Sequence, residues 1–236
     1  MLIVRPPSLL TRAFHRMTWD LKGDQREVYL TFDDGPTPVV TPWVLNQLSQ
    51  ANAKATFFCL GRNVDKYPEL YRQILREGHS TGNHSYSHLK GFRSSVRRYM
   101  DDIRLASGLI DSKLFRPPYG RILPGQVKAV LQEYDIIMWD VLSIDYNAGL
   151  SGERVYQNVT KHVKEGSIIV FHDSEKASDN LYYALPRTLE FLQQEGYSMC
   201  ALPSSGLPGS GLRSPGYSDP DHAGSDHSAP GFSGMA

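Results

Sequence analysis

The sequence predicts an α/β fold in which parallel strands alternate with helices. Three observations carry that prediction. Short β-rich runs alternate with helical patterns from Glu27 to Leu202, giving about seven β-α units. Most of these β-rich runs are continuously apolar, as expected of strands covered on both faces. Ionisable residues follow them directly: Asp33 and Asp34, His84, Arg116, Asp140 or Asp145, and His172. In a β/α barrel the C-terminal ends of the strands converge on one face, where active sites are built. Five strand ends bringing ionisable groups to one rim favour a catalytic site over a binding surface.

Strands are expected at 28–32, 55–59, 79–83, 114–116, 136–139, 168–171 and 198–202. The helix expected at 41–50 opens with Thr41-Pro42, an N-cap residue followed by proline in the first turn. The helix at 65–76 ends on Arg76, shortly before Gly78, a conventional stop. Further helices are expected at 94–109, 124–133, 152–164 and 181–195, the last closed by Gly196. No repeat is visible in the residues themselves, so the repetition is architectural. Such a sheet is either open or closed into a barrel.

A chain of 236 residues suffices for one sizeable domain. Lysine plus arginine and aspartate plus glutamate both total 25, which argues against a dedicated nucleic-acid binder. No run approaches the ~18 apolar residues of a membrane-spanning helix. Two cysteines, Cys59 and Cys200, exclude a disulfide scaffold; both lie in apolar runs and read as reduced core thiols. Residues 1–26 read as an arm packing on the domain through Leu9, Leu10 and Phe14. Arg5, Pro6 and Pro7 interrupt the opening apolar run before it reaches signal-peptide length, so a cytoplasmic protein is expected. The catalytic domain is expected at 27–202, and a disordered tail rich in Gly, Pro and Ser at 203–236. His222 and His227, inside that tail, read as solvated. A monomer is expected, since no heptad or apolar stripe is evident.

The run Thr31-Phe32-Asp33-Asp34-Gly35-Pro36 sets two carboxylates side by side at a strand end. Such a pair can merely cap a turn. If both ionise, they need cationic company, either a metal or an arginine. Asn83-His84-Ser85-Tyr86-Ser87-His88 offers two histidines four apart, which meet on one side of a helical turn and commonly chelate a divalent ion. HxxxH also arises by chance, and Ser85 stands where a metalloprotease helix has glutamate. A third ligand and a base must come from elsewhere, and Asp33 and Asp34 are the evident suppliers. Two imidazoles, one carboxylate and an open position make a pattern of catalytic zinc, whose bound water loses its proton near neutral pH. Cobalt, nickel and manganese suit the same ligands.

TFDDGP, HSYSH, RPPYG and the late FHD together resemble the successive motifs of the NodB-type polysaccharide deacetylases, carbohydrate esterase family four. The resemblance spans residues 29–173. It implies a distorted (β/α) barrel that hydrolyses acyl groups, usually acetyl from N-acetylated sugars, by attack of a metal-bound water. Carried over by position, Asp33 is the catalytic base, and Asp34, His84 and His88 hold the metal. Arg116 orients Asp33, and the backbone N–H of Tyr119 helps stabilise the oxyanion. His172 is the acid that protonates the leaving amine, and Asp145 pairs with it. The expected partner is an acetylated carbohydrate.

Two places depart from the family pattern. The fourth motif, Asp-x-x-Asp-Trp, reads Leu142-Ser143-Ile144-Asp145-Tyr146 here, and the fifth, Leu-x-His, reads Val170-Phe171-His172. Tyr146 and Val170 therefore stand where the family's acetyl pocket is walled, and they reshape it. Trp139, Tyr86 and Phe92 are candidate sugar platforms, although aromatic residues beside strands more often pack in the core. Other readings are an O-acetyl esterase, a deacylase of a small amide, or a carbohydrate-binding barrel without catalysis. The last is disfavoured because neither the base nor a ligand is missing.

Overall fold

Strand β1 (Glu27–Asp33) shows how the sheet sorts its side chains. Val28, Leu30 and Phe32 enter the main apolar core on the helical side, with Ala55, Phe57, Ile169 and Phe171 of neighbouring strands. Successive strand residues face opposite sides, so Thr31 and Asp33 point into the curl of the sheet. The computed structural model describes residues 3–21 and 26–207. Helix α1 (Ser8–Ala13) precedes β1, which is followed by α2 (Val40–Gln50) and β2 (Ala55–Cys59). Next come α3 (Gly61–Lys66), α4 (Pro68–Arg76), β3 (Ser80–Asn83), α5 (Val96–Ser107), β4 (Leu114–Phe115) and α6 (Pro124–Val130). The remainder is β5 (Asp135–Ile136), β6 (Val141–Leu142), α7 (Gly152–Thr160), β7 (Ile168–His172), α8 (Ser178–Gln194) and β8 (Ser198–Met199).

The strand order is β5-β4-β3-β2-β1-β7-β6, all parallel, with β8 pairing the start of β1. This is a curled half-barrel, as the expected distorted barrel requires. The expected strands are present, some shortened. The strand expected at 136–139 is reduced to β5, and a separate short strand, β6, follows at Val141–Leu142. β5 lies on one edge of the sheet and β6 on the other, and the curl brings the edges round to either side of Trp139-Asp140. The single helix expected at 65–76 is broken between Tyr67 and Pro68, because proline has no N–H to continue the ladder and restricts the residue before it. Cys59 is buried, Cys200 is half-buried, and both are free thiols.

The N-terminal segment packs on the domain through Phe14, as expected, but not through Leu9 or Leu10. Leu9 and Leu10 are 78% and 41% exposed, while Phe14, Met17 and Trp19 join the core around Phe115 and Ile136. Six residues of α1 bury nothing, so the contacts fall to the extended stretch after it. The Thr18 N–H donates to the Ile136 carbonyl at 2.9 Å, and the Met138 N–H to the Thr18 carbonyl at 2.7 Å. Arg5 reaches Asp140 at 3.4 Å. Asp140 also accepts from Ser167 Oγ and the Ile168 N–H, both at 3.0 Å, at the start of β7. It therefore lies away from the rim where β7 ends, which resolves the choice between Asp140 and Asp145. Ser204 and Leu207 hydrogen-bond to Lys113 and Asp135 beside β4 and β5. The first residues of the expected tail, 203–207, are thus held on the domain, and the rest of it, 208–236 with His222 and His227, lies outside the described residues. Among the described residues no helix is long and apolar enough to cross a membrane.

Candidate active site

β1 delivers Asp33 on its inward face, and the backbone then turns left-handed at Asp34, with φ 78°. That turn presents both carboxylates to the rim instead of alternating them. Asn63 of α3 holds it by donating to the Asp34 carbonyl at 2.8 Å.

The two histidines come together without a helix, contrary to the sequence expectation. After β3 the chain loops, with left-handed backbone at Ser85 (φ 65°) and His88 (φ 60°), and the ring centroids end 5.2 Å apart. The loop is pinned from α5, where Asp102 accepts from the Ser87 N–H at 3.1 Å and from Ser87 Oγ at 2.8 Å. Asn83 caps it from the other side, accepting from the Ser85 N–H at 2.7 Å. His88 Nε2 lies 3.2 Å and His84 Nε2 3.6 Å from Asp34 Oδ1. One ligand atom from each of Asp34, His84 and His88 falls within 4.8 Å of the others.

The chemistry of this donor set fits a divalent cation. His84 Nδ1 is 2.8 Å from the Arg116 carbonyl, which can only accept. Nδ1 therefore carries a proton, and Nε2 is turned toward Asp34. Burial, reinforced by His84, pushes His88 down to about 4, so its imidazole is neutral at physiological pH. Burial alone would raise the Asp34 carboxyl, but His172, His84, His88 and Arg62 bring it below its ordinary range. Asp34 Oδ1 is nevertheless buried without a hydrogen-bond partner, between two imidazole nitrogens. Such an orphaned oxygen is costly unless a cation satisfies it.

Arg116 is fully buried, and four of its five N–H groups donate within the core. Its guanidinium donates to Asp33 Oδ1 at 2.8 Å, Thr31 Oγ at 2.7 Å and the carbonyls of Ile137 and Met138 at 3.2 and 2.9 Å. It also lies over the Phe58 ring, 4.0 Å from the centroid. Arg116 is thus no surface ion pair. It fixes Asp33 in one orientation and supplies the compensating charge that a buried carboxylate needs.

Next to Asp33, β7 brings His172, its register partner on β1. Asp145 grips this histidine twice, accepting from His172 Nδ1 at 2.7 Å and from its backbone N–H at 2.8 Å. Burial alone would depress the imidazole, but Asp145, with Asp34 and Asp33, pushes it up to about 9. Tyr146 stands edge-on to His172 with centroids 5.0 Å apart. Val170 is buried two residues before His172 on the same inward face and pairs in register with Thr31 and Leu142.

Tyr119 sits on the opposite flank in the turn Pro118–Gly120, left-handed at φ 62°, with its ring 4.5 Å from that of His88. Trp139 lies behind this turn. A Cβ on Gly120 would come within 2.1 Å of its ring, so only glycine permits that approach.

Asp173 is the residue that sequence reasoning passed over, although it completes the FHD run. It is fully buried, accepts from Thr41 Oγ at 2.5 Å through Oδ2, and leaves Oδ1 without a partner. Its N–H donates to the Asp33 carbonyl at 3.2 Å, and its own carbonyl accepts from Thr37 Oγ at 2.9 Å. A Cβ on Gly35 would fall 2.0 Å from Asp173 Oδ2. Asp173 thus clamps the loop that carries Asp33 and Asp34. Burial, with Asp34 and Asp33 nearby, pushes its carboxyl up to about 8.

The chain is similar to known proteins. The peptidoglycan-N-acetylglucosamine deacetylase of Bacillus cereus is 36% identical over 189 residues, covering 77% of this chain and 68% of that protein. The chitooligosaccharide deacetylase of Bradyrhizobium is 32% identical over 217 residues, covering 81% of this chain and 95% of that one. A solved peptidoglycan N-acetylglucosamine deacetylase, in complex with 4-naphthalen-1-yl-N-hydroxybenzamide, superposes with a TM-score of 0.77 at 32% identity, over 84% of this chain and 96% of that structure. The polysaccharide deacetylase family model matches residues 20–138, which hold the Asp-Asp turn, the histidine loop and Arg116. With its half-barrel and these relatives, the chain belongs to the polysaccharide deacetylase family, hydrolases of carbon–nitrogen bonds in acetylated carbohydrate.

Proposed function

We propose that this protein removes the acetyl group of an N-acetylated amino sugar in a glycan by metal-dependent hydrolysis. The observation that carries the reading is the orphaned Asp34 oxygen between the Nε2 atoms of His84 and His88, beside a carboxylate held by a buried arginine. Asp34, His84 and His88 would hold a divalent ion, for which zinc suits best, with cobalt, nickel and manganese as alternatives. Such an ion lowers the pKa of a water and polarises an acetyl carbonyl.

Asp33, paired with and oriented by Arg116, takes a proton from the attacking water. The backbone N–H of Tyr119 donates to the acetyl oxygen as negative charge builds there. His172, kept protonated by Asp145, gives its proton to the sugar nitrogen as the carbon–nitrogen bond breaks. Acetate and a free amino sugar leave. Tyr146 and Val170 shape the acetyl pocket, and Trp139 acts from behind by supporting the Tyr119 turn. The names of the relatives support a peptidoglycan or chito-oligosaccharide substrate.

The test is acetate release from N-acetylglucosamine oligomers with zinc or cobalt added, using chelated protein and Asp33→Asn as controls. Release that disappears in both controls is expected. Release that survives chelation would overturn the metal dependence.

A further inference from the structure

The rim beside His88 carries a feature that deacetylation of a neutral sugar does not use. Tyr119, half exposed at 50%, lies tilted against His88, and Phe92 stands edge-on to it with centroids 6.5 Å apart. Three cations crowd these two rings. Lys90 Nζ is 5.5 Å from the Tyr119 centroid, and the guanidinium carbons of Arg121 and Arg93 are 5.4 and 5.9 Å from that of Phe92. All three side chains are exposed, and among the described residues none of them forms an ion pair with a carboxylate. The chain as a whole is neutral, so this is a local concentration of charge and not a generally basic surface. Two segments far apart in sequence supply it: residues 90–93, between the histidine loop and α5, and the turn after β4.

We propose that the substrate is an acidic glycan, in which a carboxylate on a sugar near the deacetylated one lies against Lys90, Arg93 and Arg121 while sugar faces rest on Tyr119 and Phe92. Aromatic rings offer sugars a flat apolar face. The guanidinium fork pairs geometrically with a planar carboxylate, and clustered like charge raises the local concentration of an anionic polymer. The inference rests on the deacetylase reading for the identity of the neighbouring site, but it is tested by binding as well as by turnover.

The experiment measures the Kd of the full chain for three oligosaccharides of equal length by titration calorimetry at low salt. One is a neutral N-acetylglucosamine oligomer, one alternates N-acetylglucosamine with a uronic acid, and one alternates it with a lactyl-ether sugar whose peptide has been removed. At least one acidic glycan is expected to bind about tenfold or more tightly than the neutral one. The preference should collapse at about 0.5 M salt, where charge is screened within a few ångströms, and in the Arg93→Gln/Arg121→Gln variant. Arg121→Lys, which keeps the charge, should retain most of it. The uronate and lactyl arms identify the source of the carboxylate. Equal affinity for all three glycans, or a preference untouched by the double substitution, would overturn the proposal. Acidic binding without acetate release would leave the ledge standing and count against the deacetylase reading instead.

Discussion

Asp33 and His172 occupy the same rung of two adjacent parallel strands, and each is gripped from its far side by an opposite charge. Arg116 holds Asp33 at 2.8 Å, and Asp145 holds His172 at 2.7 Å. Asp145 holds His172 as an imidazolium beside the carboxylate that Arg116 pairs. That division suits one group to receive a proton and the other to give one within the same turnover.

The first prediction concerns pH. His172 is protonated below its value of about 9, so kcat/KM should fall as pH rises through about 9. Asp145→Asn removes the main cause of the elevation, so this alkaline limb should move to lower pH. Stability follows the same sign. The folded protein binds this proton more tightly than the unfolded chain does, so the pair's contribution is fully present below 6.5 and lost as pH rises through about 9. A pH–rate profile with matched urea melts checks both.

Arg116→Met should cost about 3–5 kcal/mol, the usual cost of leaving one member of a buried ion pair alone. Arg116→Lys should be nearly as damaging, because a single ammonium cannot span Asp33, Thr31 and two carbonyls at once. Urea unfolding of both variants is the measurement, and loss of less than about 1 kcal/mol would contradict the structural role.

Asp33→Asn should lower acetate release by about 10²–10⁴-fold, the range for general-base removal, while still taking up one ion per chain. His88→Ala and Asp34→Asn should lose the ion and the activity together. Elemental analysis after dialysis against zinc separates the two classes.

Asp173 makes an unusual contribution for a carboxyl. Its folded value of about 8 lies above the ordinary 3.8, so between those limits the folded state holds a proton that the unfolded chain releases. In chelated protein, stability should therefore decline as pH rises through this window, and Asp173→Asn should flatten the decline. Asp173→Ala, which strands Thr41 Oγ in the core, should cost about 1–3 kcal/mol at any pH. Thermal melts from pH 5 to 9 give the comparison.

Much of the fold was legible because buried parallel strands are written as apolar runs, and 55–59 matches β2 residue for residue. Geometry that depends on distant partners was not. The histidine spacing suggested a helical turn, but the loop is set by left-handed backbone at Ser85 and His88 and by Asp102, whose role nothing near it in sequence announces. Leu9 and Leu10 looked like anchors because they are apolar, yet α1 is too short to bury a face. The motif residues themselves were readable, since TFDDGP, HSYSH and FHD each sit at a strand end. Asp173 escaped because its work is done through Thr37, Thr41 and Gly35, which become its neighbours only after folding.

The segment before β1 gains a second meaning from the open sheet. A half-barrel leaves two unpaired margins, and here one stretch of chain attends to both. Thr18 bridges to Ile137 beyond β5, the Leu142 N–H of β6 donates to the Val4 carbonyl, and Asp20 bridges to Ser167. Bare strand margins are templates on which another molecule can add a strand. By occupying them the chain acts as its own chaperone against edge-to-edge association, and a version trimmed to begin at Glu27 is expected to aggregate before it loses its catalytic groups.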